Sequence, residues 1–176
     1  MKGVLFSVVE QVVVDRFGED AWDGILERSR VDGVYTSLGD YPDSDLIAIV
    51  QSIAQTLNVS VPDVLVLGGH DGFGVLVSRH PRLLDGLNRW QDVLMHLEDI
   101  IHPEVHKIYS GASAPEFTTE ETPTGMLLEY RSKRQLCHLA EGLIRGTGDH
   151  FGTPVEVSHT SCIQNGDDRC LLEVTG

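Results

Sequence analysis

Basic residues are scarce in this chain: 13 Lys and Arg stand against 27 Asp and Glu, a formal net charge of −14. An acidic surface repels phosphate backbones, so nucleic acid is excluded as an expected partner. Long apolar runs are also lacking. No stretch of about 18 consecutive apolar residues exists, so no membrane span is expected. Met1–Phe6 is apolar, but Glu10 follows too soon for a signal peptide and no cleavage site comes after it. The expected location is therefore cytoplasmic. Cysteine is limited to three residues. In a reducing compartment an odd, small number favours a metal site or free thiols over a disulfide framework. There is no nucleophile–base pair, phosphate-binding Gly-x-Gly-x-x-Gly loop or carboxylate dyad, so the chain is expected to bind a signal and not to be an enzyme.

What is present is the pattern of a globular domain. At 176 residues and 41% hydrophobic content, the chain is long enough for one domain, 1–176, with a substantial core. Helical spacing of apolar residues predicts helices over Val4–Phe17, Ala21–Arg28 and Asp45–Leu57, the last capped by Asp43 or Ser44. Ser60 and Pro62 open another. Four glycines within Gly68–Gly74 predict that this helix breaks, or that something large approaches its backbone closely. Lys107–Pro123 reads as irregular. Met126–Ser132 reads as a strand, Arg134–Phe151 as a helix, and Val155–His159 and Cys170–Val174 as strands joined through the turn Asn165-Gly166. The fold class is α+β: a helical N-terminal part packed on a C-terminal part of helices plus a small antiparallel sheet.

The central run is organised around His102. Leu87, Trp90, Leu94, Leu97 and Ile101 form one buried face of a helix, and Pro103 biases His102 away from helical geometry, so the helix is expected to end or kink there. A histidine at such an end can present one ring nitrogen to an apolar cavity, as a haem ligand does. A hydrogen-bonded core histidine has the same signature, and His106 is a rival one turn on. A zinc-protease reading fails because Pro103 stands where His-Glu-x-x-His requires glutamate.

Two further groups could carry chemistry. Tyr130 and Ser132 lie two apart on a strand, and Arg134 follows at the strand-to-helix turn; together they make an anion cradle, or an ordinary polar strand end. Cys137, His159, Cys162 and Cys170 form a Cys3His set of the kind that holds structural zinc, with His138 as an alternative ligand. Free buried thiols and a Cys162–Cys170 disulfide are the other readings.

Tyr130-x-Ser132-x-Arg134 resembles the haem-propionate motif of the H-NOX (haem-nitric oxide/oxygen binding) family, which includes the haem domain of soluble guanylate cyclase. The start Met1-Lys2-Gly3, and His102 followed by Gly111-Ala112 and Pro115, are similar to that family in the same order over nearly the whole chain. The resemblance implies one haem b between the two parts of the fold. It makes His102 the axial iron ligand and gives Tyr130, Ser132 and Arg134 the propionates. Pro103 directly after the ligand departs from the family pattern. Oxygen-binding members carry a distal tyrosine where Leu139 stands here; with Leu5 and Val9 this implies an apolar gas-side wall. The expected ligand is then nitric oxide, with carbon monoxide as a further one. His70 and Asp71 are the polar groups nearest to threatening that reading; a haem enzyme would need them as acid–base groups. A subset of the family has a similar cysteine-rich zinc site. By the resemblance, nitric oxide weakens the hold on His102, and the shift is read by a signalling protein such as a histidine kinase or a cyclic-di-GMP enzyme. The stretch from Gly142 onward, with Cys162 and Cys170, also resembles the V4R (vinyl reductase-like) domains, which would make the chain a haem-free, zinc-stabilised small-molecule module.

Overall fold

Intrinsic propensity and packing disagree at the N-terminus, and packing wins. In a computed structural model describing residues 1–176, α1 spans Gly3–Phe17 although six of its residues are valines. β-Branched side chains disfavour helix by a few tenths of a kcal/mol each. Burying Phe6, Val8, Val12 and Val13 more than offsets this, at roughly 1.5–3 kcal/mol per fully buried apolar side chain. The helices α2 (Glu19–Ser29) and α3 (Asp43–Leu57) complete a first core, in which Phe6, Trp22, Ile25, Ile49 and Ile53 meet. Asp43 does not cap α3: Pro42 holds the cap position and Asp43 is the first helical residue. Its carboxylate is engaged instead by Arg134 and the terminal amine.

The helix α4 (Val61–Arg79) opens as expected, with Ser60 and Asp63 forming a reciprocal capping box. It does not break at the glycines. Gly69 lies against α7 (Cys137–His150) so closely that a Cβ there would stand 2.4 Å from the carbonyl oxygen of Leu139. The contact is mutual: a Cβ at Gly142 would stand 2.1 Å from Val66 O, and one at Gly146 would stand 2.5 Å from His70 O. What approaches the α4 backbone is therefore a second helix backbone.

The central segment also departs from expectation. It is divided into α5 (Trp90–Met95), a π-turn over Leu97–Ile101, and α6 (His102–Ile108). The run is interrupted just before the histidine, within the end or kink expected there, but His102 itself is helical, at φ −63° and ψ −40°, against the pre-proline bias. Pro103 is tolerated because it falls in the first turn of α6. The π-turn before it, in which Ile101 N–H donates to His96 O at 2.9 Å, widens the ladder where a proline ring would meet a carbonyl.

A four-stranded antiparallel sheet closes the chain, in the order β1-β2-β4-β3: β1 (Glu116–Thr122), β2 (Gly125–Arg131), β3 (Glu156–Ser161) and β4 (Cys170–Thr175). β1 lies in the stretch read as irregular. It is an edge strand of Thr and Glu with one aromatic residue, a composition that suits an edge and hides the strand signal. Met126, Leu128, Leu172 and Val174 form a second core with Trp90, Leu94, Ala140 and Ile144. α7 joins the two cores, because Leu139 on its other side packs with the first. The α+β architecture expected from the sequence is the one observed. No helix is long and apolar enough to cross a membrane.

At the surface His70 ties three helices together. Its Nδ1 lies 2.9 Å from Asp71, which also accepts from Arg16 of α1, and its Nε2 lies 2.8 Å from Asp149 of α7. The hydrogen bonds to Asp71 first, and then Asp149, raise the His70 pKa above its ordinary 6.5. A raised histidine pKa stabilises the fold fully below the unfolded value and loses that contribution as pH rises through the folded value. Melting measured between about pH 6 and 9 should show the wild type losing stability relative to His70→Gln as pH rises. Parallel curves would mean that the imidazole makes no linked contribution.

Candidate functional site

The strand-to-helix turn after β2 consumes much of the Tyr-x-Ser-x-Arg motif's own polarity. Tyr130 is buried, and its hydroxyl accepts the Leu136 N–H at 2.9 Å, just ahead of α7. Burial raises its phenol pKa, so it stays protonated. Ser132 Oγ accepts the Arg134 N–H at 3.2 Å. Gln135 adopts the left-handed region at φ 52° to complete the turn. The Arg134 guanidinium donates to Asp43 Oδ2 at 2.6 Å and to the Ser113 carbonyl at 2.8 Å. Arg134 and the terminal amine hold the Asp43 carboxyl below its usual range, with Arg134 the larger influence.

Ser132 and Arg134 line the mouth of a cleft of about 860 Å³ whose inner wall is apolar, from Leu46, Val50, Leu65 and Leu136. Tyr130 stands behind this cleft and does not line it. A second, smaller cavity of about 70 Å³ shares Leu46, Val50 and Leu65 as its walls. Leu5, Val9 and Leu139 line it together, as the sequence reading grouped them. Arg16 is its only charged lining residue, and that guanidinium is engaged by Asp71. His70 and Asp71 line neither cavity, because they are committed to the surface ion pairs described above.

His102 lines neither of the two cavities. It sits on α6 against β1, its ring centroid 6.1 Å from that of Phe117, with its side chain only 15% exposed. Nδ1 lies 3.0 Å from Glu98 Oε1, while Nε2 has no hydrogen-bond partner. Burial lowers the His102 pKa against the opposing pull of Glu98. The ring is therefore neutral, with its hydrogen on Nδ1 and a lone pair on Nε2. His106, the rival, is exposed. Pro115 is half-buried immediately before β1. The chemistry of the individual groups suits a haem, with a neutral imidazole whose second nitrogen is free and a hydroxyl and a guanidinium lining a cleft, but His102 and the cleft are not brought to one cavity.

The cysteine group is brought together at the same end of α7, where Cys137 is the first helical residue. Cys137, Cys162 and Cys170 are buried free thiols, so the disulfide reading does not hold. Sγ of Cys162 lies 3.6 Å from that of Cys137 and 3.9 Å from that of Cys170. Tetrahedral zinc with Zn–S near 2.3 Å has sulfur–sulfur edges of roughly 3.8 Å. Donor atoms of Cys137, His138, His159 and Cys162 lie within 4.8 Å of one another. The bulge after His159 in β3 helps set this approach. His159 Nδ1 is buried with no hydrogen-bond partner, while Nε2 lies 2.9 Å from Glu141. Glu141 is itself buried, which pushes its carboxyl up, but His159 and Arg145 bring it net below the usual range. The mutually close set is thus two thiols and two imidazoles, with His138 in the place expected for Cys170, which approaches only Cys162. An orphaned imidazole nitrogen beside thiols, its ring fixed by a carboxylate, is chemistry a metal ligand can have.

Glu98, Asp43 and Glu141 were not singled out as site residues from the sequence. Glu98 could have been, since it stands four residues before His102 on a helical segment.

A family model described as Haem-NO-binding matches residues 2–159. The chain belongs to that family. Among solved structures, this haem-NO-binding chain is similar to an H-NOX protein from S. oneidensis in the Fe(II)NO ligation state, at a TM-score of 0.92 and 37% identity over all of both chains. It is also similar to an Fe(II) unliganded H-NOX protein from K. algicida, at 0.87 and 31%, covering 99% of this chain and 96% of that one. Among curated proteins, the soluble guanylate cyclase gcy-32 of Caenorhabditis elegans is 29% identical over 156 residues. That alignment takes in 82% of this chain, which spans only 22% of the length of that relative. The match runs through both the His102 segment and the Tyr130–Arg134 turn, and the V4R-like reading, which rests on the last part of the chain alone, is set aside.

Proposed function

We propose that residues 1–176 act as one haem-based sensor module selective for nitric oxide. The observation that carries the reading is His102: a neutral, half-buried imidazole whose Nε2 is free while Nδ1 is engaged. In this reading His102 holds the iron of haem b. Ser132 and Arg134 receive the propionates, Arg134 sharing its guanidinium between them and Asp43, and Tyr130 keeps the turn that carries both in shape. Pro115 closes the segment leading to β1. Haem supplies the iron on which a diatomic gas binds.

Gas selectivity rests on Leu5, Val9 and Leu139. Bound oxygen carries partial negative charge and needs a hydrogen-bond donor, whereas nitric oxide needs one far less. The cavity these residues line offers only Arg16, already paired with Asp71. The S. oneidensis relatives described with nitric oxide and with carbon monoxide on Fe(II) support both as ligands here. Purified ferrous protein is expected to show a Soret band that shifts with nitric oxide and not in air. Leu139→Tyr, which adds a donor to that wall, is expected to gain a shift in air. Colourless wild-type protein from haem-replete cells would overturn the haem assignment, and a wild-type shift in air would overturn the selectivity.

The Cys137, His159, Cys162 and Cys170 set is read as a structural zinc site stapling α7 to the β3–β4 hairpin. Metal analysis should give one zinc per chain, lost in Cys162→Ser; zinc-free protein of unchanged stability would mean free thiols. The output of the module is movement of the segment 97–108 against the sheet, read by a signalling protein such as a histidine kinase or a cyclic-di-GMP enzyme. The curated relatives, in which the matched region is a small part of a cyclase, support a signalling output.

A further inference from the structure

One carboxylate oxygen stands at the junction between the His102 segment and the sheet. Glu98 Oε1 lies 3.0 Å from His102 Nδ1 and also 3.0 Å from the backbone nitrogen of Phe117. β1 is the edge of the sheet, so alternate N–H groups along it point away from β2. That of Phe117 would otherwise be left to solvent, and Glu98 accepts it. Glu98 makes no ion pair, and its contact with neutral His102 is a hydrogen bond. The Phe117 ring stands between the two halves of the site: its centroid is 6.1 Å from His102 and 5.5 Å from Tyr130, edge to face with the latter. Tyr130 in turn holds the Leu136 N–H. A continuous run of contacts thus leads from the imidazole through Glu98 and Phe117 to the turn that carries Ser132 and Arg134.

Resting on the haem reading above, we propose that Glu98 is a positioning residue with two tasks. It fixes the tautomer of His102 and enriches Nε2 in electron density, and it ties the His102 segment to the edge of β1. The first task follows from charge. An imidazole that donates its second N–H to a carboxylate is a more basic ligand than one that donates to water or an amide. The second follows from geometry. Both N–H groups converge on one oxygen, so a displacement of His102 cannot leave the Phe117 contact unchanged.

The test uses the haem-loaded full chain with Glu98→Gln and Glu98→Ala. Glu98 is exposed enough for the fold to survive both substitutions, and melting curves verify that it does. In the ferrous, gas-free state the iron–histidine stretching frequency, read by resonance Raman, is expected to fall in Glu98→Gln and further in Glu98→Ala. Haem dissociation is expected to speed up by about 10–100-fold, the usual effect of losing an outer partner of a ligating histidine. Hydrogen exchange at the Phe117 amide should accelerate at least tenfold in Glu98→Ala, with haem or without it. A stretching frequency equal to the wild type in both variants would overturn the ligand-tuning task. Unchanged Phe117 exchange would overturn the coupling. If the wild type itself took up no haem, the reading of His102 would fall, while the Phe117 exchange would still report on the tie.

Discussion

His102→Ala is expected to purify without a Soret band from cells in which the wild type is red, and to regain one when imidazole is supplied during expression. The argument rests on what the side chain does and does not touch. Its ring packs on the edge-strand residue Phe117, and its polar tie is to the half-exposed Glu98. Truncation is therefore expected to cost about 1–2 kcal/mol of stability, which leaves the chain folded. The loss falls on the ligand bond. Removing an outer partner of a ligating histidine costs up to about 100-fold in affinity, and removing the ligand itself costs more. Free imidazole fits the space left beside Phe117 and meets the same acceptor on Glu98. A variant that kept a wild-type spectrum would show that the iron is held elsewhere, with exposed His106 and the His138–His159 pair the next residues to test.

Gly142→Ala is expected to be among the most destabilising single-methyl additions in the chain. The new Cβ would lie 2.1 Å from Val66 O and 2.9 Å from both Val66 C and His70 N. These are backbone atoms of α4, so no rotamer change relieves the clash and the two helices must move apart. Overpacking of this kind costs about 1–3 kcal/mol, and here the upper end applies because the obstacle is main chain. For a chain of this size that is a fall of roughly 6–12 °C in melting temperature. Gly68→Ala and Gly74→Ala provide the control. They lie on the same helix as Gly69 with nothing within 4 Å of the added atom. Each should stabilise by about 0.5–1 kcal/mol, because alanine loses less backbone freedom on entering a helix. Equal effects at the three positions would disprove the close approach of α4 to α7.

The same glycines show where a sequence is legible and where it is not. That the helix breaks at Gly68–Gly74, or that something approaches it closely, could be read from their cost in a helix; the approach is to Gly69 and Gly72. That the approaching body is the Gly142 and Gly146 backbone could not, since pairing two glycine stripes requires knowing which helices are neighbours. Helices with strong apolar spacing, and the strands Met126–Ser132 and Cys170–Val174, were legible because burial on one face leaves a period in the residues. β1 was not, because an edge strand buries little and its Glu and Thr residues carry no such period. The cluster of Cys137, His159, Cys162 and Cys170 was visible from residue type and a hairpin turn. The candidate cradle was only partly so: Ser132 and Arg134 meet at one cleft, but Tyr130 stands behind it. The carboxylates of Asp43, Glu98 and Glu141, which orient the groups around them, were invisible as partners because acidic residues are everywhere in this chain. Glu98 alone had a sequence signal, its spacing from His102.

The π-turn over Leu97–Ile101 has a geometric corollary. It is one residue out of phase with the ordinary ladder, so a regularised helix would rotate everything beyond it by about 100° about the axis. Pro103 opposes that rotation, because in a continuous α-helix its ring would collide with the carbonyl of Asp99. The azimuth of the imidazole at position 102 is thus set by a surplus residue and a proline acting as a ratchet and pawl.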